Sequence, residues 1–277
     1  MSDTFNIKTY NRHGVTKKYK SDDKLFLSER VVFSRLKETY KNGRILDIGV
    51  GGGRTTSALL EISSDYCGID YSAAMVKSAQ ERFPNIKFKH CDARDLSEFS
   101  SETVDVAVFS YNGIDYVGHL DRLRILKEVW RVLSPRGVFF FSTHNRNQPV
   151  PIVGWHPSTL GFREYPTVNP LRVTYRVLRY AQRLYRAVRL RKFVRHEEDF
   201  ALLNDNAHNY GLITYYISIP KQVEQLRLCG FEHVIAIDEN GDHLNSKDWP
   251  TYIGPTCYLA WRDKQADWSG ESSRGDS

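Results

Sequence analysis

From Arg44 to about Thr143, short runs of β-branched and aromatic residues alternate with stretches whose apolar positions recur at helical spacing. That is the pattern of βαβ units feeding a parallel sheet. The runs Arg44 to Ile48, Tyr66 to Asp70, Ile86 to His90, Val104 to Ser110 and Gly137 to Thr143 predict five strands. Between them, helices are predicted near Thr55 to Glu61, Ala73 to Arg82 and Arg122 to Leu133. Ser72 is placed to cap the second helix, and Phe83-Pro84-Asn85 ends it, because proline cannot continue the hydrogen-bond ladder. After Asn145 the alternation breaks until a last helix, Pro220 to Cys229, which Gly230 closes. Phe231 to Asp238 and Thr256 to Trp261 then supply two more strands. The expectation is a doubly wound α/β fold around a seven-stranded sheet, mostly parallel with an antiparallel last strand, carrying a helical insertion after the fifth strand. Residues 1–40 read as an N-terminal arm or lid, 41–145 and 218–263 as the core domain, 146–217 as the insertion and 264–277 as a polar tail.

Size and composition permit this plan. A chain of 277 residues, 41% hydrophobic and 26% charged, can bury one substantial core with residues left for an accessory element. No apolar run approaches the roughly 20 residues needed to cross a bilayer. The start, Met-Ser-Asp-Thr-Phe-Asn, lacks the basic and apolar regions of a secretory signal, so a cytosolic protein is expected. Cys67, Cys91, Cys229 and Cys257 lie far apart with no Cys-x-x-Cys pair, which predicts reduced thiols and no metal site.

The loop Asp47-Ile48-Gly49-Val50-Gly51-Gly52-Gly53 follows the first strand and opens a helix. Such a turn points backbone N–H groups and a helix N-terminus at a ligand, and glycine lets the backbone approach it closely. A dinucleotide fingerprint starting at Gly49 would need its third glycine at position 54, where Arg54 stands. The nicotinamide reading fails there. Asp70 and Asp92 end the second and third strands, 23 and 22 residues beyond the preceding aspartate.

The pattern Asp-x-Gly-x-Gly-x-Gly from Asp47 to Gly53, followed by Arg54-Thr55-Thr56 and with Asp70 and Asp92 downstream, resembles the class I S-adenosylmethionine-dependent methyltransferases of small-molecule type. The resemblance runs from about Lys41 to Thr143 and includes the last two strands, and Gly52 departs from the family's common Thr or Ser. It implies a Rossmann-like fold with S-adenosyl-L-methionine as cofactor. Asp47 would recognise the methionine amino group, Asp70 the ribose hydroxyls and Asp92 the adenine amino group. Gly49, Gly51, Gly53, Tyr71, Met75, Ala93, Arg94, Ser110, Tyr111 and Tyr116 complete the expected cofactor contacts.

Ser110-Tyr111-Asn112-Gly113 stands where amino methyltransferases of nucleobases carry Asn or Asp before Pro-Pro-Tyr. Nucleobase-amine chemistry is thus disfavoured while other N-methylations stay open, and an O-directed reaction on a small-molecule, glycan or lipid-linked acceptor is the leading expectation. Transfer to a hydroxyl requires alignment and a base. His144, after the fifth strand, and His208, in an Asn- and Tyr-rich stretch, are the candidates for that base. Asp115 follows the fourth strand closely enough to touch cofactor or acceptor. Tyr19, Asn209, Tyr210 and Tyr215 are candidate acceptor contacts, with Tyr10 a further residue able to close over the site.

Net charge is +6, but Leu171 to Arg195 holds eight Arg, one Lys and no acidic residue, so without those nine charges the chain carries −3. Asn169-Pro170 starts a helix predicted to reach about His196. At 100° per residue Arg172, Arg176, Arg179, Arg183 and Arg186 form one stripe, with Val173, Val177, Ala181, Leu184 and Val188 opposite. Three readings stay open: a helix packed by its apolar face with solvated arginines, an anionic membrane surface bound through residues 170–196, or contact with an anionic acceptor or RNA. An RNA methyltransferase and an inactive cofactor-binding adaptor are the alternative functions, with nucleic acid the weaker partner.

Overall fold

The computed structural model describes residue 6 and residues 24–150, 170–206 and 209–263. In chain order these form α1 (Leu27–Thr39), β1 (Ile45–Ile48), α2 (Thr56–Leu60), β2 (Tyr66–Asp70), α3 (Ala73–Arg82), β3 (Phe88–His90), β4 (Val104–Phe109), a 3-10 turn (Gly113–Tyr116), α4 (His119–Val132) and β5 (Leu133–Asn145). There follow α5 (Pro170–Leu190), a second 3-10 turn (Arg191–Phe193), β6 (Arg195–His196), β7 (Phe200–Leu203), β8 (Thr214–Ile217), α6 (Ile219–Leu228), β9 (His233–Ile237) and β10 (Thr256–Trp261).

The central sheet runs β3-β2-β1-β4-β5-β10-β9. Its first five strands are parallel, and β10 is antiparallel to both neighbours. The doubly wound arrangement is the expected one, but the described sheet has ten strands where seven were expected, because β8, β7 and β6 continue it from β5. The strands are apolar on both faces because helices cover both. Side chains alternate between two cores: Ala107, Phe109, Phe139 and Phe141 enter one, Val106, Val108, Val138 and Phe140 the other. Helix α4 closes the first core with Ile125, Leu126, Val129 and Val132. Ser72 caps α3 as expected, its hydroxyl accepting the Met75 N–H at 3.4 Å.

Three features depart from the sequence reading. Residues Leu27–Thr39, placed there in an arm, form α1, which buries Val32, Phe33 and Leu36 in the second core. The insertion is not only helical. Strand β5 extends past the end of β10, and its His144 and Asn145 pair in parallel with Tyr216 and Ile217 of β8, to which β7 and β6 add in antiparallel fashion. The arginine helix stops at Leu190, well before His196, because Arg195 and His196 are drawn into the ladder with Leu202 and Ala201.

Candidate cofactor and acceptor site

The parallel strands β1, β2 and β4 end side by side, so the loops that follow them converge on one cleft at the carboxyl edge of the sheet. Two cavities lie there. The first is lined by Asp47, Gly49, Gly51, Arg54, Asp70, Tyr71, Met75, Ser110, Tyr111 and Tyr116 among others, the second by Asp92, Ala93, Arg94, Val117 and Ile125. Gly49, Asp70, Tyr71, Phe109, Gly113 and Tyr116 line both, which makes them one continuous groove. Twelve of the thirteen expected cofactor residues line it. Gly53 does not: with φ +83° it turns the chain, and a Cβ there would come within 2.8 Å of the Phe83 ring. Gly49, with φ +65°, allows the Phe109 ring to lie where a Cβ would fall, 2.5 Å away.

Each carboxylate is held differently. Asp47 is buried, and its Oδ2 accepts from Thr55 Oγ1 at 2.7 Å and from the Tyr66 hydroxyl at 2.8 Å. Burial pushes its carboxyl up to about 6, against the pull of those two hydrogen bonds and of Arg54. Asp70 accepts backbone N–H bonds from Gly51 at 3.0 Å and Ser72 at 2.8 Å, and burial raises it too to about 6. Asp92 is more exposed and is gripped by Arg94, whose Nη2 lies 2.6 Å from Oδ2. Acids that shed solvent and border one groove suit an ammonium group and a diol, so the residues fit the expected cofactor.

One group at this site went unrecognised in the sequence. Glu29 of α1 is buried and binds Arg54 in a two-pronged ion pair of 2.6 and 2.7 Å, while it also accepts from Ser110 Oγ. The Arg54 guanidinium lies 5.6 Å from the Phe26 ring centre and 5.1 Å from that of Tyr111. The capping relation of Glu29 to the Phe26 N–H, 2.8 Å, was the only local signal. Its pairing with a residue 25 positions away had none.

Beyond the groove, Tyr111 and Asn112 are consecutive non-glycine residues in left-handed conformation, φ +57° and +56°, strain of the kind that gathers at working sites. The Asn112 N–H donates to Ser142 Oγ at 2.8 Å, and Asn112 Nδ2 lies 3.3 Å from His144 Nε2. His144 Nδ1 lies 2.7 Å from Asp115 Oδ2, which also accepts the His144 backbone N–H at 2.7 Å. Asp115 is fully buried with Arg122, 2.6 Å away, and takes a fourth donor in Thr143 Oγ1 at 2.6 Å. Arg122 spends its remaining N–H groups on Gln222, Gln225, Thr143 and the Ile114 carbonyl.

None of the described residues expected to contact the acceptor lines the groove. His208 and Tyr19, like Tyr10, lie outside the described residues. Tyr215 is not at an acceptor surface. It is fully buried, with its ring 4.6 Å from the Arg122 guanidinium and its hydroxyl 2.8 Å from His119 Nδ1. Strand alternation sends the next residue, Tyr216, the other way, and its ring stands 5.0 Å from that of His144. Asn209 and Tyr210 line neither cavity; Asn209 Oδ1 accepts from Arg179 at 3.1 Å and Arg183 at 3.2 Å. From the N-terminal segment, Asn6 is buried and donates to the Tyr116 carbonyl at 2.7 Å. No cluster of metal ligands occurs among the described residues.

The strand order, the glycine turn and the carboxylates at three strand ends define the fold of the class I S-adenosylmethionine-dependent methyltransferases. Residues 45–137 match the family model of the methyltransferase domain, and the chain carries a domain of that class, whose cofactor is S-adenosylmethionine. It is 30% identical over 122 residues to a Mycolicibacterium smegmatis protein named "Probable S-adenosylmethionine-dependent methyltransferase", covering 44% of this chain and 46% of the other. Over 112 residues it is 31% identical to the mouse (Mus musculus) mitochondrial ubiquinone biosynthesis O-methyltransferase, covering 38% of this chain and 30% of that one. The chain thus aligns with less than half the length of these curated relatives. The fold is similar to that of the Burkholderia thailandensis 1,6-didemethyltoxoflavin-N1-methyltransferase, solved with its acceptor and S-adenosylhomocysteine, with a TM-score of 0.54 and 12% identity, over 95% of this chain and 87% of that one.

Proposed function

We propose that this chain transfers the methyl group of S-adenosylmethionine to a hydroxyl group of a small-molecule, glycan or lipid-linked acceptor. The observation that carries the reading is the buried Asp115 carboxylate set 2.7 Å from His144 Nδ1. With the ring proton on Nδ1 facing that carboxylate, Nε2 is left as the basic atom beside Asn112. Tyr111 and Gly113, on either side of Asn112, both line the cofactor groove. The cofactor, when bound, supplies a methyl group on a sulfonium centre. His144 Nε2 would take the acceptor's hydroxyl proton as the oxygen accepts that methyl and the thioether product leaves, a general-base role. Asp115 orients the ring and stabilises the imidazolium that results. When the cofactor is bound, Asp47 would hold its methionine ammonium with Arg54 at that end, Asp70 would accept from the ribose hydroxyls, and Asp92 with Ala93 would border the adenine.

The mouse relative is named for O-methylation, which supports hydroxyl chemistry. The bacterial structural neighbour is named for N-methylation, but its likeness extends to the fold alone. Cell extract incubated with the protein and isotopically labelled methyl donor, then resolved by mass spectrometry, tests the reading. A labelled product whose methyl sits on oxygen, formed by the natural sequence and lost in His144→Ala, is expected. A methyl on nitrogen, or full turnover by His144→Ala, overturns it.

A further inference from the structure

Helix α5 is oriented against the ordinary rule for a surface helix. Arg176, Arg183 and Arg186 are half-buried, and Arg183 and the exposed Arg179 both reach Asn209, so this part of the arginine stripe lies toward the body of the molecule while Arg179 and Arg189 stay open to solvent. Leu190 is buried at the helix end. Facing outward are Val177, Leu178, Leu184, Tyr185 and Val188, between 43% and 66% exposed, with Tyr175 at their edge, 59% exposed. Of the twelve large hydrophobic residues exposed among those described, these six lie on this one helix. Of the others, Phe26, Leu27 and Tyr111 lie together beside the cofactor groove, and Leu120, Leu228 and Ile253 belong to three other segments. An apolar strip of this kind marks a contact surface.

We propose that the outward face of α5 docks this protein on an anionic lipid bilayer. Charge selects the occupant. The segment 171–195 holds nine basic side chains and no acid, so a second copy packed against it would add a like-charged segment with no acid to pair, whereas an anionic surface supplies the opposite charge. RNA would engage exposed cations such as Arg179 and Arg189 but would leave the apolar strip in water. A bilayer meets both requirements: acyl chains take the apolar face, and anionic headgroups lie within about one helix diameter, ~10 Å, of the arginines, close to a Debye length. Tyr175 and Tyr185 have the amphipathic rings suited to the headgroup level. The attachment is peripheral, since no helix among the described residues is long and apolar enough to cross a membrane. This proposal stands on the surface of α5 and is independent of the methyl acceptor.

Sedimentation with phosphatidylcholine vesicles containing about 30% phosphatidylglycerol, against pure phosphatidylcholine vesicles, tests it. The natural sequence is expected to partition onto the anionic vesicles, with affinity falling as salt is raised to about 0.5 M. Leu178→Glu with Val188→Glu should lower partitioning by at least about tenfold. Leu228→Glu, a 78% exposed residue on α6, should leave it unchanged. Melting curves check that the variants fold, and Tyr185→Ser serves if the double variant does not. Absence of partitioning, equal partitioning of the α5 variants, or a vesicle-independent dimer that those variants dissolve each overturns the proposal, as does RNA binding that they abolish in its place.

Discussion

His144 and Asp115 are joined twice, through the ring nitrogen and through the backbone N–H, both 2.7 Å from the same carboxylate oxygen. The double attachment fixes the ring's rotation as well as its tautomer. His144→Gln is expected to lower kcat by about 10²- to 10⁴-fold while leaving the affinity for S-adenosylhomocysteine unchanged. Single-turnover rates and calorimetry on the same preparation separate the two. A weakened affinity with unchanged kcat would move His144 from the base to the cofactor groove.

Asp115 and Arg122 are both fully buried and 2.6 Å apart. Removing one leaves the other's charge uncompensated in the core, so Asp115→Ala should cost about 3–5 kcal/mol of stability. Asp115→Leu combined with Arg122→Met should recover much of that loss, because neither charge is then stranded. Denaturant melts of the three proteins check the ordering. The double variant should stay as slow as His144→Gln, since the ring has lost its orienting partner.

Asp47 and Asp70 each bind a proton more tightly in the folded chain, near 6, than at the ordinary carboxyl value of 3.8. A raised acid subtracts stability as pH climbs from about 4 through 6, where the folded state holds protons that the unfolded state has released. Ligand binding runs the other way. An ammonium beside Asp47 and a diol beside Asp70 favour the ionised forms, so S-adenosylhomocysteine should bind more tightly as pH rises from about 5 to 7. Calorimetry across that range, with Asp70→Asn flattening part of the slope, is the check. A pH-independent affinity would contradict the assignment.

Arg54 is positioned by Glu29 and by the rings of Phe26 and Tyr111 at the Asp47 end of the groove. Its charge lowers the Asp47 carboxyl, and it lines the groove, where the proposed cofactor's methionine carboxylate would lie. Arg54→Ala should weaken S-adenosylhomocysteine by roughly tenfold or more. Methylthioadenosine, which lacks the amino-acid portion, should bind the variant and the natural sequence alike. Equal losses for both ligands would mean that Arg54 shapes the groove without touching the carboxylate.

At Gly49 a methyl group would sit 2.5 Å from the Phe109 ring, on backbone with φ +65°. Gly49→Ala is expected to cost about 1–3 kcal/mol from overpacking. The displaced Phe109 ring would intrude on the groove that it lines. A thermal melt and a binding isotherm should both shift; Gly118→Ala, where no atom lies within 4 Å of the added carbon, serves as control.

Local order along the chain determined the sheet, the glycine turn and the three acids, because each depends on a repeat or spacing within some 25 residues: alternation in β4 and β5, a cap at Ser72, an aspartate at the end of each early strand. The acceptor side depended on contacts between distant segments. Glu29 meets Arg54 and Ser110 only because α1 packs on the sheet. The choice between Tyr215 and Tyr216 rests on the register of β8 against β5, which a one-residue slip would reverse. The orientation of α5 had the same origin: the amphipathic pattern was plain in the residues, but which face met the body and which met solvent was decided by packing in three dimensions.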